Sequence, residues 1–245
     1  MPNKSIRKQA EEELAYHRQK GNGGSILKQV ILGGQDGLVN VLGVLLGVAS
    51  ATSDAGVVII AGLAATFAES ISMAAVAYAS TRAGQDYYQK QYENEQREIK
   101  ELPEVEKEEI KLIYMKKGFR GKQLDQVVDK ITSNEKVWLE VMMAEELGLS
   151  KQEDSAPVKD GIVVGVSALV GSFIPLLPFF FLPIGSAMIA SFVISLLTLF
   201  FAGVYKAKIT VGNWLHSGVE MAGIGMLAAL AGYAVGVLFG ASFVG

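Results

Sequence analysis

The residues best suited to chemistry lie where acids are rarely placed. Glu69 falls in the middle of an apolar stretch, residues 55–81 (AGVVIIAGLAATFAESISMAAVAYAST), and Met73 follows one helical turn later. Positions i and i+4 share a helix face, so the carboxylate and the thioether point the same way. The preceding apolar stretch, residues 30–53, carries a second lone acid, Asp36. A charge at membrane depth costs at least ~2.5 kcal/mol, so an acid kept there either pairs with a buried polar group or serves an ion pathway. Mg2+ and Ca2+ take oxygen ligands only, whereas a thioether beside two carboxylates points to a transition metal such as Fe2+ or Mn2+. Taken alone, a methionine such as Met73 is more often an ordinary packing residue. The expectation is that Asp36, Glu69 and Met73 line a path for a cation. Asp160 and Glu220 stand only at the starts of later apolar stretches.

A second constellation lies in the polar middle of the chain. Glu95 and Glu98 are three apart on one predicted helix, and Glu106 and Glu109 repeat that spacing on the next. Each pair projects from one face, and a bound cation would relieve the repulsion within it. On the following helix Met142, Met143 and Glu146 fall within one turn. The alternative is ordinary: glutamate-rich runs form solvated faces and paired methionines fill cores. Glu101, Glu104 and Glu108 lie elsewhere on these helices and read as surface.

These groups sit in a chain of 245 residues, 50% hydrophobic, with 27 glycines and a net charge of −3. Such a composition suits an integral membrane protein with a polar insert. Charges concentrate in residues 4–28 and 82–160. With no cysteine, disulfides and thiolate metal sites are excluded, and His17 and His216 lack zinc-type spacing. No cleavable signal peptide is expected, and no basic patch suggests nucleic acid.

The elements that must position the acids can be read from the apolar pattern. Residues 1–28 are expected to form a polar, partly helical cytoplasmic arm, its helix broken at Gly21, Gly23 and Gly24. Two transmembrane helices occupy 29–83, the first carrying a GxxxG pair at Gly43 and Gly47. The second is expected to run on as a polar helix until Pro103. Residues 84–158 are expected to form an acidic insert of three helices, with Pro103 opening one, Gly118 ending it, and Ser133 or Asn134 capping the last. Residues 151–157 form a polar link. Three further transmembrane helices occupy 159–245, the first interrupted by Pro175 and Pro178, the last carrying Gly232, Gly236 and Gly240. The fold class expected is thus all-α, with five transmembrane helices and a cytoplasmic metal-binding insert between helices 2 and 3. Lys and Arg mark the arm, the insert and the Lys206/Lys208 loop, which places these in the cytoplasm and the C-terminus on the opposite side.

Four features together carry a resemblance: GGQDGLVNVLGVLLGVASA in span one, SISMAAVAY in span two, WLEVMMAEELGL in the insert, and the order of two spans, acidic insert, three spans. The chain resembles the vacuolar iron transporter family over nearly its whole length beyond the arm. The resemblance implies a homodimeric carrier, not an enzyme and with no permanent cofactor, that exports Fe2+ and sometimes Mn2+ from the cytosol in exchange for protons. It assigns the translocation path to Asp36 and Met73, and the insert's metal ligands to Glu95, Glu98, Glu106, Glu109, Met142, Met143 and Glu146. One departure stands out. Many members read SMAxGEY in span two, with Glu one turn after the Met; here that residue is Ala77, and Glu69 lies one turn before Met73 instead. Positions 69, 73 and 77 share a face, so the acid has moved along the path.

Two other function classes are weighed against the carrier. A membrane-anchored protein whose insert senses or buffers metal needs no transport path. A membrane di-iron enzyme would want Glu-x-x-His pairs, which neither histidine supplies. A plasma membrane in a prokaryote and a vacuole-like membrane in a eukaryote both fit the sequence.

Overall fold

The computed structural model describes residues 4–52, 54–150 and 156–243. Most of the expected polar link at 151–157, and residues 1–3 of the expected arm, lie outside the described residues. Eight α-helices carry the described chain: α1 (Lys4–Ala51), α2 (Ala55–Glu101), α3 (Pro103–Lys116), α4 (Gly121–Thr132), α5 (Glu135–Val141), α6 (Pro157–Leu176), α7 (Ile184–Ile209) and α8 (Trp214–Phe243). A π-helical turn, Met142–Glu146, comes after α5, and a 3-10 turn, Leu177–Phe180, after α6. No strand occurs among the described residues. Five of these helices contain stretches long and apolar enough to cross a membrane. Two compact units emerge, residues 1–79 with 156–245, and residues 80–155.

In the first unit, α1 is the helix around which others pack. Leu38, Val41, Leu42 and Leu45 on it are at most 1% exposed. That burial on several faces requires neighbours on several sides, and glycine lets them approach. Gly37 of α1 lies against the Ala168 carbonyl of α6, where a Cβ would have no room. On another side, Gly232 and Gly236 of α8 lie against the carbonyls of Gly43 and Gly47. The two glycine series seen in the sequence therefore face one another. Without water to drive association, such close backbone packing is what membrane helices rely on. Pro175 stands inside α6, near its C-terminal end, and Ser191 Oγ of α7 donates to the Pro175 carbonyl at 2.7 Å. This satisfies one of the carbonyls a helix end leaves free.

One expectation is corrected here. Gly21, Gly23 and Gly24 do not break the first helix, which runs uninterrupted from Lys4 to Ala51. Glycine costs up to ~1 kcal/mol per residue in a helix, but it forbids no helical backbone angle. A helix already anchored by its packed apolar half can extend through that cost.

The second unit has a core of its own. Residues 80–101 of α2 give Ile99, α3 gives Ile110, α4 gives Leu124, Val128 and Ile131, and α5 gives Trp138 and Leu139. Pro103 opens α3 at its first turn, and Gly118 lies just past its end with φ +102. Asn134 caps α5 by accepting from the Val137 N–H at 3.2 Å. Ion pairs tie the rim, including Lys107 to Asp129 at 2.8 Å and Lys100 to Glu135 at 3.4 Å.

Candidate functional site

Each unit holds one cluster of acids. In the first unit the carboxyls of Asp36 and Glu69 lie side by side, within reach of one another. Asn40 Nδ2 donates to Glu69 Oε1 at 3.1 Å. Asp36 and Asn40 are four apart on α1 and so share a face, across which Glu69 reaches from α2. Asp36 and Glu69 are half-buried and Asn40 is exposed. Two carboxyls side by side repel unless a proton or a cation lies between them. Met73, half-buried one turn along α2, takes no part in this hydrogen bond. Asn40 was missed in the sequence. Its signal was present: a polar side chain in an apolar span, four residues from an acid.

In the second unit Glu95, Glu106 and Glu146 each bring an oxygen within 4.8 Å of the others. The local sequence explains the burial of the first two. Glu95 is four residues before Ile99 and Glu106 four before Ile110, so both occupy core-facing positions of their helices. They are 3% and 5% exposed, and Glu95 Oε1 and Glu106 Oε2 find no hydrogen-bond partner. Buried polar atoms are nearly always paired, so these unfilled oxygens suit a cation. Burial foremost, then contact with Glu106 and the charges of Glu146, Glu106 and Glu98, pushes the Glu95 carboxyl up to about 8. Partial desolvation, then the charges of Glu109 and Glu106, pushes the carboxyl of Glu146, a residue still exposed at the surface, up to about 7. Burial likewise raises Glu106. Glu98 and Glu109 are half-buried; Glu98 acts on all three by charge, and Glu109 on Glu106 and Glu146.

Met142 and Met143 are 0% and 1% exposed and belong to the apolar core of this unit. The segment carrying them departs from the expected α-helix. Leu147 N–H donates to the Met142 carbonyl, a five-residue step, and Gly148 then reverses the chain at φ +63. A π-turn inserts one residue, which rotates the residues beyond it by roughly 100° from the α register. That rotation bears directly on Glu146, at the end of the turn.

The sequence pattern of the VIT family matches residues 27–237, most of the chain. The chain belongs to the VIT family. Among its relatives, Vacuolar iron transporter 1 of Arabidopsis thaliana is 32% identical over 231 residues, covering 94% of this chain and 92% of the relative. Vacuolar iron transporter 1 of Oryza sativa subsp. japonica is 33% identical over 211 residues, 86% of this chain and 84% of its own length. The Vacuolar iron transporter of Plasmodium falciparum (isolate 3D7) is 30% identical over 222 residues, 86% and 81% of the two chains. These VIT relatives are transporters by name and not enzymes. The family match and the five apolar helices together make the chain a multi-pass membrane protein.

Proposed function

We propose that the chain is a carrier of divalent transition metal, Fe2+ foremost and Mn2+ second, which exports the ion from the cytosol in exchange for protons. The observation that carries this reading is the contact between Asp36 and Glu69 in two apolar helices. An acid pair at that depth is costly unless used. The names of the relatives point to iron. The exchange is a consequence of the pair's chemistry. When the divalent ion binds, a proton held between the carboxyls leaves; when protons return from the far side, the ion is released. Met73, one turn away, adds a sulfur ligand that favours Fe2+ over Mg2+.

The arm and the insert are cytoplasmic by their Lys and Arg. In the insert, Glu95, Glu106 and Glu146, helped by Glu98 and Glu109, capture the metal before it enters the path, and Met142 and Met143 pack beneath or join them. A homodimer is part of the proposal. In one chain Asn40 is exposed and Asp36 and Glu69 only half-buried, yet polar groups do not face acyl chains unpaired. A second copy covering this face would enclose the site.

Purified protein in proteoliposomes tests the reading. Fe2+ uptake should be driven by an imposed pH gradient, and Asp36→Asn or Glu69→Gln should each lower it about 10- to 100-fold, the usual range when a metal site loses a supporting group. Uptake indifferent to both substitutions would refute it. A second reading, in which the insert buffers or senses metal and the spans only anchor it, draws on the separate core of residues 80–155.

A further inference from the structure

We propose that Asn40 is a positioning residue that holds the Glu69 carboxyl against Asp36, so that a divalent cation meets two oxygens already in place. This rests on the carrier reading above. Asn40 Nδ2 donates to Glu69 Oε1 at 3.1 Å, and the Glu69 carboxyl lies beside that of Asp36. A glutamate has three rotatable bonds and, at the edge of an apolar bundle, many directions in which to leave its partner. The Asn40 amide restricts that freedom by holding Oε1 of Glu69. A site held to within about 0.5 Å by such support binds better than one left loose.

The residue type fits the task. A lysine or arginine at position 40 would compete with the cation for the carboxylates. A third acid would add charge without a donor. An amide donates, carries no charge, and keeps Oδ1 free as an acceptor. Among the described residues, Asn40 is also the only polar side chain lining an open groove of about 710 Å3 between α1 and α8, whose other walls are Gly, Ala, Val and Phe. No other side chain lining that groove competes for its N–H.

Mn2+ binding by equilibrium dialysis tests this. The full chain in detergent would carry Glu95→Gln, Glu106→Gln and Glu146→Gln to silence the second cluster. Asn40→Leu should weaken binding about tenfold, the effect of one hydrogen bond to a charged group, and Asn40→Ala serves if the leucine variant misfolds. Asn40→Gln, which keeps the donor, should stay within about threefold. In a Glu69→Gln background Asn40→Leu should have no further effect, since it acts only through Glu69. Unchanged binding in Asn40→Leu, or a loss of equal size with and without Glu69, would overturn the assignment. Transport measured in parallel separates the two readings. Binding that depends on Asn40 with no wild-type transport sinks the carrier and keeps the positioning role. Transport with Asn40-independent binding does the reverse, and absence of any Mn2+ binding sinks both.

Discussion

Glu95 and Glu106 are acids in positions where their helices would otherwise place a leucine, and that cost has a measurable sign. Their carboxyls hold protons in the folded unit above the ordinary value of 4.5, with Glu95 up to about 8 and Glu146 up to about 7. Over the window from about 4.5 to 8 the unfolded chain has released protons that the folded one keeps, so stability falls as pH rises through it. The melting temperature of the purified protein should therefore be lower at pH 8 than at pH 5. Glu95→Gln removes the buried acid and should raise Tm at pH 8 by about 2–4 °C, the shift that ~1 kcal/mol gives in a chain of this size. Saturating Mn2+ should restore wild-type Tm at pH 8 and do little for Glu95→Gln. A Glu95→Gln protein that melts at or below wild type at pH 8 would show that burial is not what raises this carboxyl. The same protons set the binding behaviour: affinity of the cluster for Mn2+ should drop as pH falls from 8 to 6, because each ligand must first lose its proton.

At the scale of the helix, the packing of α1 depends on atoms that are absent. A Cβ at Gly232 would meet the backbone of Gly43, and one at Gly84 would meet nothing within 4 Å. Gly232→Leu should therefore push α8 from α1, costing about 1–3 kcal/mol as overpacking does. Gly84→Ala should gain about 0.5–1 kcal/mol of helix propensity. Thermal melts in detergent distinguish them, and a stable Gly232→Leu protein would mean that α1 and α8 do not pack this closely. The five long helices were legible from apolar run length, and the ends of α3 and α5 from Pro103, Gly118 and Asn134, because these are local signals. The glycine series at 43/47 and 232/236/240 were legible as close-packing faces, though not as each other's partners. The π-turn at Met142–Glu146 was not legible, because a register change of one residue answers to packing around Trp138 and the methionines. Nor did the chain stop its first helix at Gly21 to Gly24, where propensity alone argued for a break. Among the acids, spacing proposed two pairs and a single residue. Burial brought one from each helix together, and only the i+4 relation to Ile99 and Ile110 could have announced it.

For the whole molecule, the question is whether the two clusters belong to one process. Each unit has its own acids and its own core, so either could work alone: a membrane path without a capture site, or a metal-binding unit on a membrane anchor. The carrier reading orders them, with capture by Glu95, Glu106 and Glu146 and passage by Asp36 and Glu69. Capture ahead of the path raises the local metal concentration, which matters when free metal is scarce and not when it saturates the path. Neutralising the capture acids with Glu95→Gln, Glu106→Gln and Glu146→Gln should therefore raise the KM for Fe2+ uptake about 10-fold or more, in the range expected for a weakened metal site. It should leave the maximal rate within about twofold, since a group that contributes only binding shifts KM and not turnover. Asp36→Asn should do the opposite in kind, lowering the rate at saturating Fe2+. Loss of the maximal rate in the triple variant would place those acids in the conduction step itself. Uptake in none of the proteins, with metal still bound by the wild type, would leave the chain a membrane-anchored metal buffer.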